Sequence, residues 1–483
     1  MFEQDRARNL SMVMDFYELT MSNGYFKDGV RDVRVAFDVF YRRNPDGGGF
    51  AIFAGLEQVA DYVERLHFTD QDIEFLREQK LFDEEFLKYL RNFKFTGSIY
   101  ALPEGTVMYP NTPILTVVAP LLEAQLVETA ILLEINHQSL IATKACRIVR
   151  ASEGRIVSDF GARRAHNIDS AVYGARAAYI GGVHSTATVI AGQMFGIPVS
   201  GTMAHSWVMF YGDEKTAFEK YATVYPDTCT LLVDTYDVLE SGVKNAIKVG
   251  KETLEPMGKR LKGVRIDSGD LAYLSKRTRE MLDKEGMEDC KIVASNSLDE
   301  FTISSLLNQG AKFDIFGVGE RLITARSEPV FGAVYKLAAV EEDGKFVPRI
   351  KISENIEKIT NPGRKRLLRV YNESGKSVGD LLTLWDEPIP EGERVRYVDP
   401  VHPWRQKYFE NCTFKDLLKP LFVRGERVGE KPTVSEIRDY VKQQLATEVW
   451  EEEQRFENPH THYVDMSPAL YELKMNLLHA ERK

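Results

Sequence analysis

The stretch GTMAHSW, residues 201–207, places a histidine, His205, directly after the short apolar run FGIPVS. A histidine where a strand gives way to a helix is either a packed core residue or a group that takes something from a ligand. The other strand ends decide between the two. RIVSDFG ends in Asp159, Phe160 and Gly161, with Arg163 and Arg164 just beyond, and YIGGVHS leads to Ser185 and Thr186. TLLVDTYD ends at Asp234 and Asp237, and GVRIDSGD carries Arg265, Asp267, Ser268, Gly269 and Asp270. KIVASNS carries Ser295, Asn296 and Ser297, and FDIFGVG carries Gly317 and Gly319, followed by Arg321. Singly, each has an ordinary reading: Asp, Ser and Asn cap helices, glycines make turns, and arginines sit on surfaces. Together they share a chemistry. Arginines and glycine-flanked helix starts bind phosphate. Carboxylates beside them suit a divalent cation or sugar hydroxyls. Phe160 offers a face to a planar ring. That set describes a nucleotide-like ligand.

These residues need a scaffold that brings strand ends to one rim. Seven short apolar runs alternate with helical stretches such as DLAYLSKRTREMLDKEG and LDEFTISSLLNQG, in which Gly286 and Gly310 read as residues just past a helix end. This rhythm predicts parallel strands, and a barrel rather than an open sheet. No GxGxxG fingerprint accompanies it. A long helical pattern, residues 121–152, precedes the rhythm and is ended by Gly154. Before it lie strand-like runs (RVAFDVFYRR, GSIYALPEGTVMYPNTPILTVVAP) and amphipathic helices (GLEQVADYVERL, DQDIEFLREQ). After it, from Phe331, two hairpins with Asp-Gly and Ser-Gly turns are expected, then a helical tail. The expected fold is thus α/β. An N-terminal α+β domain covers 1–120 and is completed by strands from 331–398. A barrel covers 121–330, and a small C-terminal helical extension covers 399–483.

Composition narrows the function. The 483 residues carry a formal charge of -10, which argues against a nucleic-acid partner. The first residues show no apolar signal-peptide core and no run is long enough to span a bilayer, so a cytoplasmic protein is expected. Cys146, Cys229, Cys290 and Cys412 are widely spaced and form no CxxC pair. They read as free thiols, not as a zinc site or a disulfide framework.

The motifs IVSDFGARRAH, GARAAYIGG, GTMAHS, RIDSGD, ASNSLDE and DIFGVGERL, in this order, resemble nicotinate phosphoribosyltransferases. The resemblance covers roughly residues 15–385. It implies an irregular parallel (β/α) barrel with an N-terminal sandwich-like α+β domain, in a homodimer whose active sites are shared. It implies conversion of nicotinate and phosphoribosyl pyrophosphate to nicotinate mononucleotide and pyrophosphate, coupled to ATP hydrolysis with Mg²⁺. By the same resemblance Phe160 stacks on the pyridine ring, and Tyr17 of the other subunit, beside Asp15, covers its second face. Arg163 and Arg265 bind the ring carboxylate or the ribose phosphates. Asp267 and Asp270 meet ribose hydroxyls or the metal. Asn296 joins the substrate contacts, and Gly317 and Gly319 donate to the 5′-phosphate. His205 is similar to the histidine that ATP phosphorylates. Asp234 would hold its Nδ1–H and leave Nε2 as the nucleophile.

The sequence departs from the family at Ala187, where nicotinate-using relatives have serine and nicotinamide-using ones aspartate. Ring selectivity then rests on Arg163, Arg265 and the hydroxyls of Ser185 and Thr186. The absence of a side-chain carboxylate still favours an acid. A nicotinamide-using enzyme and a catalytically silent ligand sensor remain as alternatives. An aldolase-like barrel would need a Schiff-base lysine at a strand end, and none is there.

Overall fold

A computed structural model describes residues 8–480, apart from positions 391, 393 and 406. The leader reading of the first seven residues therefore lies outside the described residues. The chain forms two compact units: residues 1–140 with 330–483, and residues 141–329.

The first unit is built on a seven-stranded antiparallel sheet. Its order is Lys345–Pro348, Val334–Glu342, Arg34–Phe40, Leu115–Pro120, Ser98–Ala101, Lys419–Val423, Glu426–Arg427. Both expected hairpins form. Asp343 and Gly344 take φ of 50° and 75° in the first, and Gly375 takes 80° in the second. Two positive φ values in a row are what the twist of a tight hairpin requires. The second hairpin, Lys365–Tyr371 with Ser377–Leu384, is the centre of a four-stranded sheet edged by Thr413–Asp416 and Val464–Met466. The tail is therefore not simply helical: short aromatic runs such as KYFE, TFKD and KPLFV become strands beside the helices Val434–Thr447 and Pro468–Ala480.

The second unit carries a parallel six-stranded sheet. Its order is Ser185–Thr186, Ile156–Asp159, Ile315–Val318, Lys291–Ala294, Gly263–Ile266, Thr230–Leu232. All six C-terminal ends lie along one edge. Two of the seven expected strands shrink. Tyr179 and Ile180 in YIGGVHS belong to the helix Ile168–Ile180, leaving a two-residue strand. That helix end is wholly buried, so periodicity could not separate it from a core strand. IPVSGT contributes one parallel bridge, Thr186 to Val199. Among the described residues no ladder closes this sheet into a barrel. The long helical pattern also breaks, into Leu121–Gln125 and Glu128–Ala151.

The two helices read in DLAYLSKRTREMLDKEG and LDEFTISSLLNQG form, each ended by its glycine. Asp270 caps Leu271–Lys284, and Asp299 caps Glu300–Asn308, each through a side-chain oxygen. Gly286 and Gly310 follow with φ of 74° and 77°. The four cysteines are free thiols; three are buried and Cys412 is half-buried. No helix is long and apolar enough to cross a membrane among the described residues.

Candidate active site

The parallel register sets the site. It brings Phe160, Gly319, Ser295, Asp267 and Asp234 to the same edge of the sheet, each just past its own strand.

Arg265 is the centre of the polar network. Its Nε donates to Ser295 Oγ at 2.8 Å, Nη1 to Thr202 Oγ1 at 3.0 Å and Nη2 to Asp267 Oδ1 at 3.1 Å. Ser295 Oγ also donates to Asp267 Oδ1. The guanidinium carbon lies 5.5 Å from the centroid of the Phe160 ring, within cation–π range. An aromatic face and a positive fork are therefore side by side.

The floor of Phe160 is Gly317. A Cβ at Gly317 would lie 2.4 Å from Phe160 Cε2. Sequence reading gave Gly317 to a phosphate; here its missing side chain makes room for the ring. The turn after Phe160 is fixed by Asp159, which is fully buried. One carboxylate oxygen accepts Gly161 N at 2.8 Å and the other accepts Thr186 Oγ1 at 2.7 Å. Burial pushes the Asp159 carboxyl up, and these hydrogen bonds oppose the shift. An Asp two residues before a glycine is the signal that sequence reading passed over.

This network changes the reading of two hydroxyls. Thr186 Oγ1 is spent on Asp159 and accepts Thr188 N at 3.0 Å. Ser185 Oγ sits 2.8 Å from Ser158 Oγ and 2.6 Å from Ser200 Oγ. Both residues are buried, at 8% and 1% exposure for Ser185 and Thr186, and frame the site from behind. Ala187 is exposed next to them.

His205 opens the helix His205–Tyr211, and its side chain is 40% exposed. Its Nε2 lies 3.1 Å from Asp234 Oδ1. The expected arrangement is thus reversed: Nε2 is tethered and Nδ1 is free. The reason is reach, since Nε2 is the ring nitrogen farther from the backbone. The Asp234 side chain is 1% exposed, and its Oδ2 accepts Asp267 N at 3.0 Å and Ser268 Oγ at 2.6 Å. One carboxylate therefore joins His205 to the Asp267 loop.

Arg163 is exposed on the turn Ala162–Arg164 and makes no ion pair among the described residues. Asp270 spends one oxygen on Tyr273 N, at 3.0 Å. Asn296 and Ser297 take φ of 87° and 48°, two left-handed residues in succession. Such strain clusters at functional turns. Gly319 caps the short helix Glu320–Ile323. For a divalent cation, Asp267 and Asp270 keep oxygens outside their internal bonds, while the described residues hold no cluster of three or more His, Cys, Asp or Glu. Two carboxylates suit Mg²⁺, which takes its remaining ligands from phosphates and water.

Tyr17 belongs to the first unit, on the helix Phe16–Lys27. It is 42% exposed, so it is not a core tyrosine. Asp15 and Glu18 form a capping box at the start of that helix.

Three family models match in series. The nicotinate phosphoribosyltransferase N-terminal domain covers residues 12–136, the family model 156–375 and the C-terminal domain 364–474. The chain is 47% identical over 474 residues to the nicotinate phosphoribosyltransferase of Bacillus subtilis, covering 98% of this chain and 96% of that one. The chain belongs to the nicotinate phosphoribosyltransferase family. A human nicotinate phosphoribosyltransferase is 30% identical over 542 residues, covering 98% of both chains. The crystal structure of human nicotinic acid phosphoribosyltransferase superposes with a TM-score of 0.85 at 28% identity, over 97% of this chain and all of that one.

Proposed function

We propose that the protein joins nicotinate to the ribosyl carbon of phosphoribosyl pyrophosphate, giving nicotinate mononucleotide and pyrophosphate. The observation that carries the reading is the Phe160 ring beside the Arg265 guanidinium, 5.5 Å apart. A pyridine stacked on Phe160 brings a ring carboxylate to that fork. The exposed Arg163 supplies a second cation for the carboxylate or a phosphate. No carboxylate stands at position 187 to receive an amide, which favours nicotinate over nicotinamide.

The chemistry is a displacement at the anomeric carbon. The pyridine nitrogen forms a bond to that carbon as the bond to pyrophosphate breaks. No general base is required, because the ring nitrogen carries no proton near neutral pH. Phe160 and Arg265 hold the ring in line. Asp267, Asp270, Asn296 and the backbone at Gly319 surround the ribose and its 5′-phosphate. Asp267 and Asp270 would hold Mg²⁺, which would supply charge neutralisation for the departing pyrophosphate.

ATP hydrolysis is coupled through His205. Asp234 fixes the proton on Nε2, so the Nδ1 lone pair faces outward. That nitrogen attacks the γ-phosphorus, the bond to the bridging oxygen breaks and ADP leaves. Asp234 then stabilises the cationic ring, and water later releases phosphate. The active form is a homodimer in which Tyr17 of one subunit covers the ring bound by the other.

The test is pyrophosphate release with nicotinate or nicotinamide, with and without ATP. Faster release with nicotinate, stimulated by ATP, is expected. Equal efficiency for both rings would assign the enzyme a broader substrate, and nicotinate binding without release would make it a sensor.

A further inference from the structure

Thr202 stands between the ring end of the site and the histidine. Its Oγ1 accepts Arg265 Nη1 at 3.0 Å and donates to the Met203 carbonyl at 3.3 Å. The chain just before it is pinned to the sheet. Thr186 N donates to Pro198 O and Ser200 N to Thr186 O, both at 3.0 Å, and Ser200 Oγ meets Ser185 Oγ at 2.6 Å. The chain just after it is not pinned this way. Ala204 precedes His205 as an N-cap that offers no side-chain hydrogen bond. Thr202 is thus the last side-chain anchor before His205 opens its helix.

Arg265 has five N–H donors. Ser295, Thr202 and Asp267 take three, leaving one on each terminal nitrogen for an anion. The direction of those two depends on the three fixed bonds. Ser295 and Asp267 belong to the sheet edge. Thr202 belongs to the segment that carries His205.

We propose that Thr202 is a positioning residue that aims the Arg265 fork and couples ring binding to the state of His205. This rests on the reading of His205 as the phosphoryl acceptor. A phosphoryl group on Nδ1 adds negative charge three residues from Thr202. The segment has two fixed points, Asp234 and the Thr202–Arg265 bond, so the change is passed to the guanidinium. A threonine that only filled space would carry no such link.

Thr202→Val keeps the side-chain shape and removes the acceptor. The expected result is a KM for nicotinate raised about tenfold, with kcat changed far less. The response of that KM to ATP should disappear, while γ-labelled ATP still labels His205 as in wild type. Thr202→Ser should restore both. A wild-type KM in Thr202→Val, or an intact ATP response, overturns the proposal. If Thr202→Val does not fold, Thr202→Ala is read in the same way, with His205 labelling as the check on the fold. Wild-type protein that takes no label on His205 refutes the phosphohistidine reading and with it the coupling. The aim of the Arg265 fork is then judged on the nicotinate KM alone.

Discussion

Phe160 occupies the space that a side chain at residue 317 would fill: a Cβ there would stand 2.4 Å from the ring. The ring and the glycine are therefore one device. Gly317→Ala should push Phe160 off its floor and away from Arg265. The expected outcome is a KM for nicotinate raised about tenfold or more, with the KM for phosphoribosyl pyrophosphate moved less. A uniform loss of both would place the glycine at the phosphate instead.

Charge recognition by the two arginines predicts a ring preference. Arg265 keeps two donors free, and Arg163 has no ion pair among the described residues. Catalytic efficiency with nicotinate should exceed that with nicotinamide by about thirtyfold, the scale of one desolvated charge contact. Arg163→Gln should narrow the ratio if that arginine meets the carboxylate, and leave it unchanged if it meets a phosphate. Parallel kinetics with the two rings give the answer.

Phosphorylation of His205 should yield the Nδ1 isomer, because Nε2 is held by Asp234 at 3.1 Å. Phosphorus NMR of the labelled, unfolded protein distinguishes the isomers. His205→Ala should lose ATP hydrolysis and keep slow ATP-independent synthesis. Asp234→Asn should lower labelling without abolishing binding of ATP. Label at Nε2 would mean that the ring turns before it reacts.

A shared site makes a mixing prediction. Tyr17→Ala and Phe160→Ala proteins, each nearly inactive, should regain part of their activity once subunits exchange. Exchange is monitored separately by native mass spectrometry. No recovery in exchanged mixtures would assign Tyr17 to its own subunit or to no site.

Stability should depend on pH through His462 in the first unit. Its ring lies flat on Tyr109, with centroids 3.5 Å apart. Nδ1 is 3.0 Å from Glu453 Oε1 and Nε2 is 3.5 Å from Asp380 Oδ1. Burial disfavours the charged ring, but the two carboxylates outweigh it and raise its pKa above 6.5. The stabilisation is therefore complete below about pH 6.5 and is lost as pH rises through the folded value. His462→Gln should flatten the dependence of Tm on pH across that window. An unchanged slope would show that other groups set it.

The sequence made the strand-end chemistry legible because parallel strands place their C-terminal residues together, whichever helices intervene. His205, Asp234, Arg265 and Asp267 were found that way. Pairings among them were not legible. Which nitrogen of His205 meets Asp234 depends on a few ångströms of backbone position. Thr186 looked available until Asp159 was seen to hold it, because a buried carboxylate and a free one read alike. The breaks at residues 126–127 and 181–184 were hidden by apolar runs that suit a buried helix as well as a strand. The strands of the tail were hidden for another reason: runs of four or five residues carry too little period to outweigh the helix signal around them.

The first unit is split in sequence by the second, which runs unbroken from Ile141 to Pro329. Strand Arg34–Phe40 finds one neighbour in Leu115–Pro120 but its other in Val334–Glu342. Strand Ser98–Ala101 waits for Lys419–Val423. On the ribosome, the inserted unit is complete while these early strands still present open edges. At roughly 5–20 residues per second, the gap between Pro120 and Val334 lasts about ten to forty seconds. Unpaired edges are templates for aggregation. The nascent chain therefore carries open strand edges throughout that interval, and it is then that a chaperone would be needed.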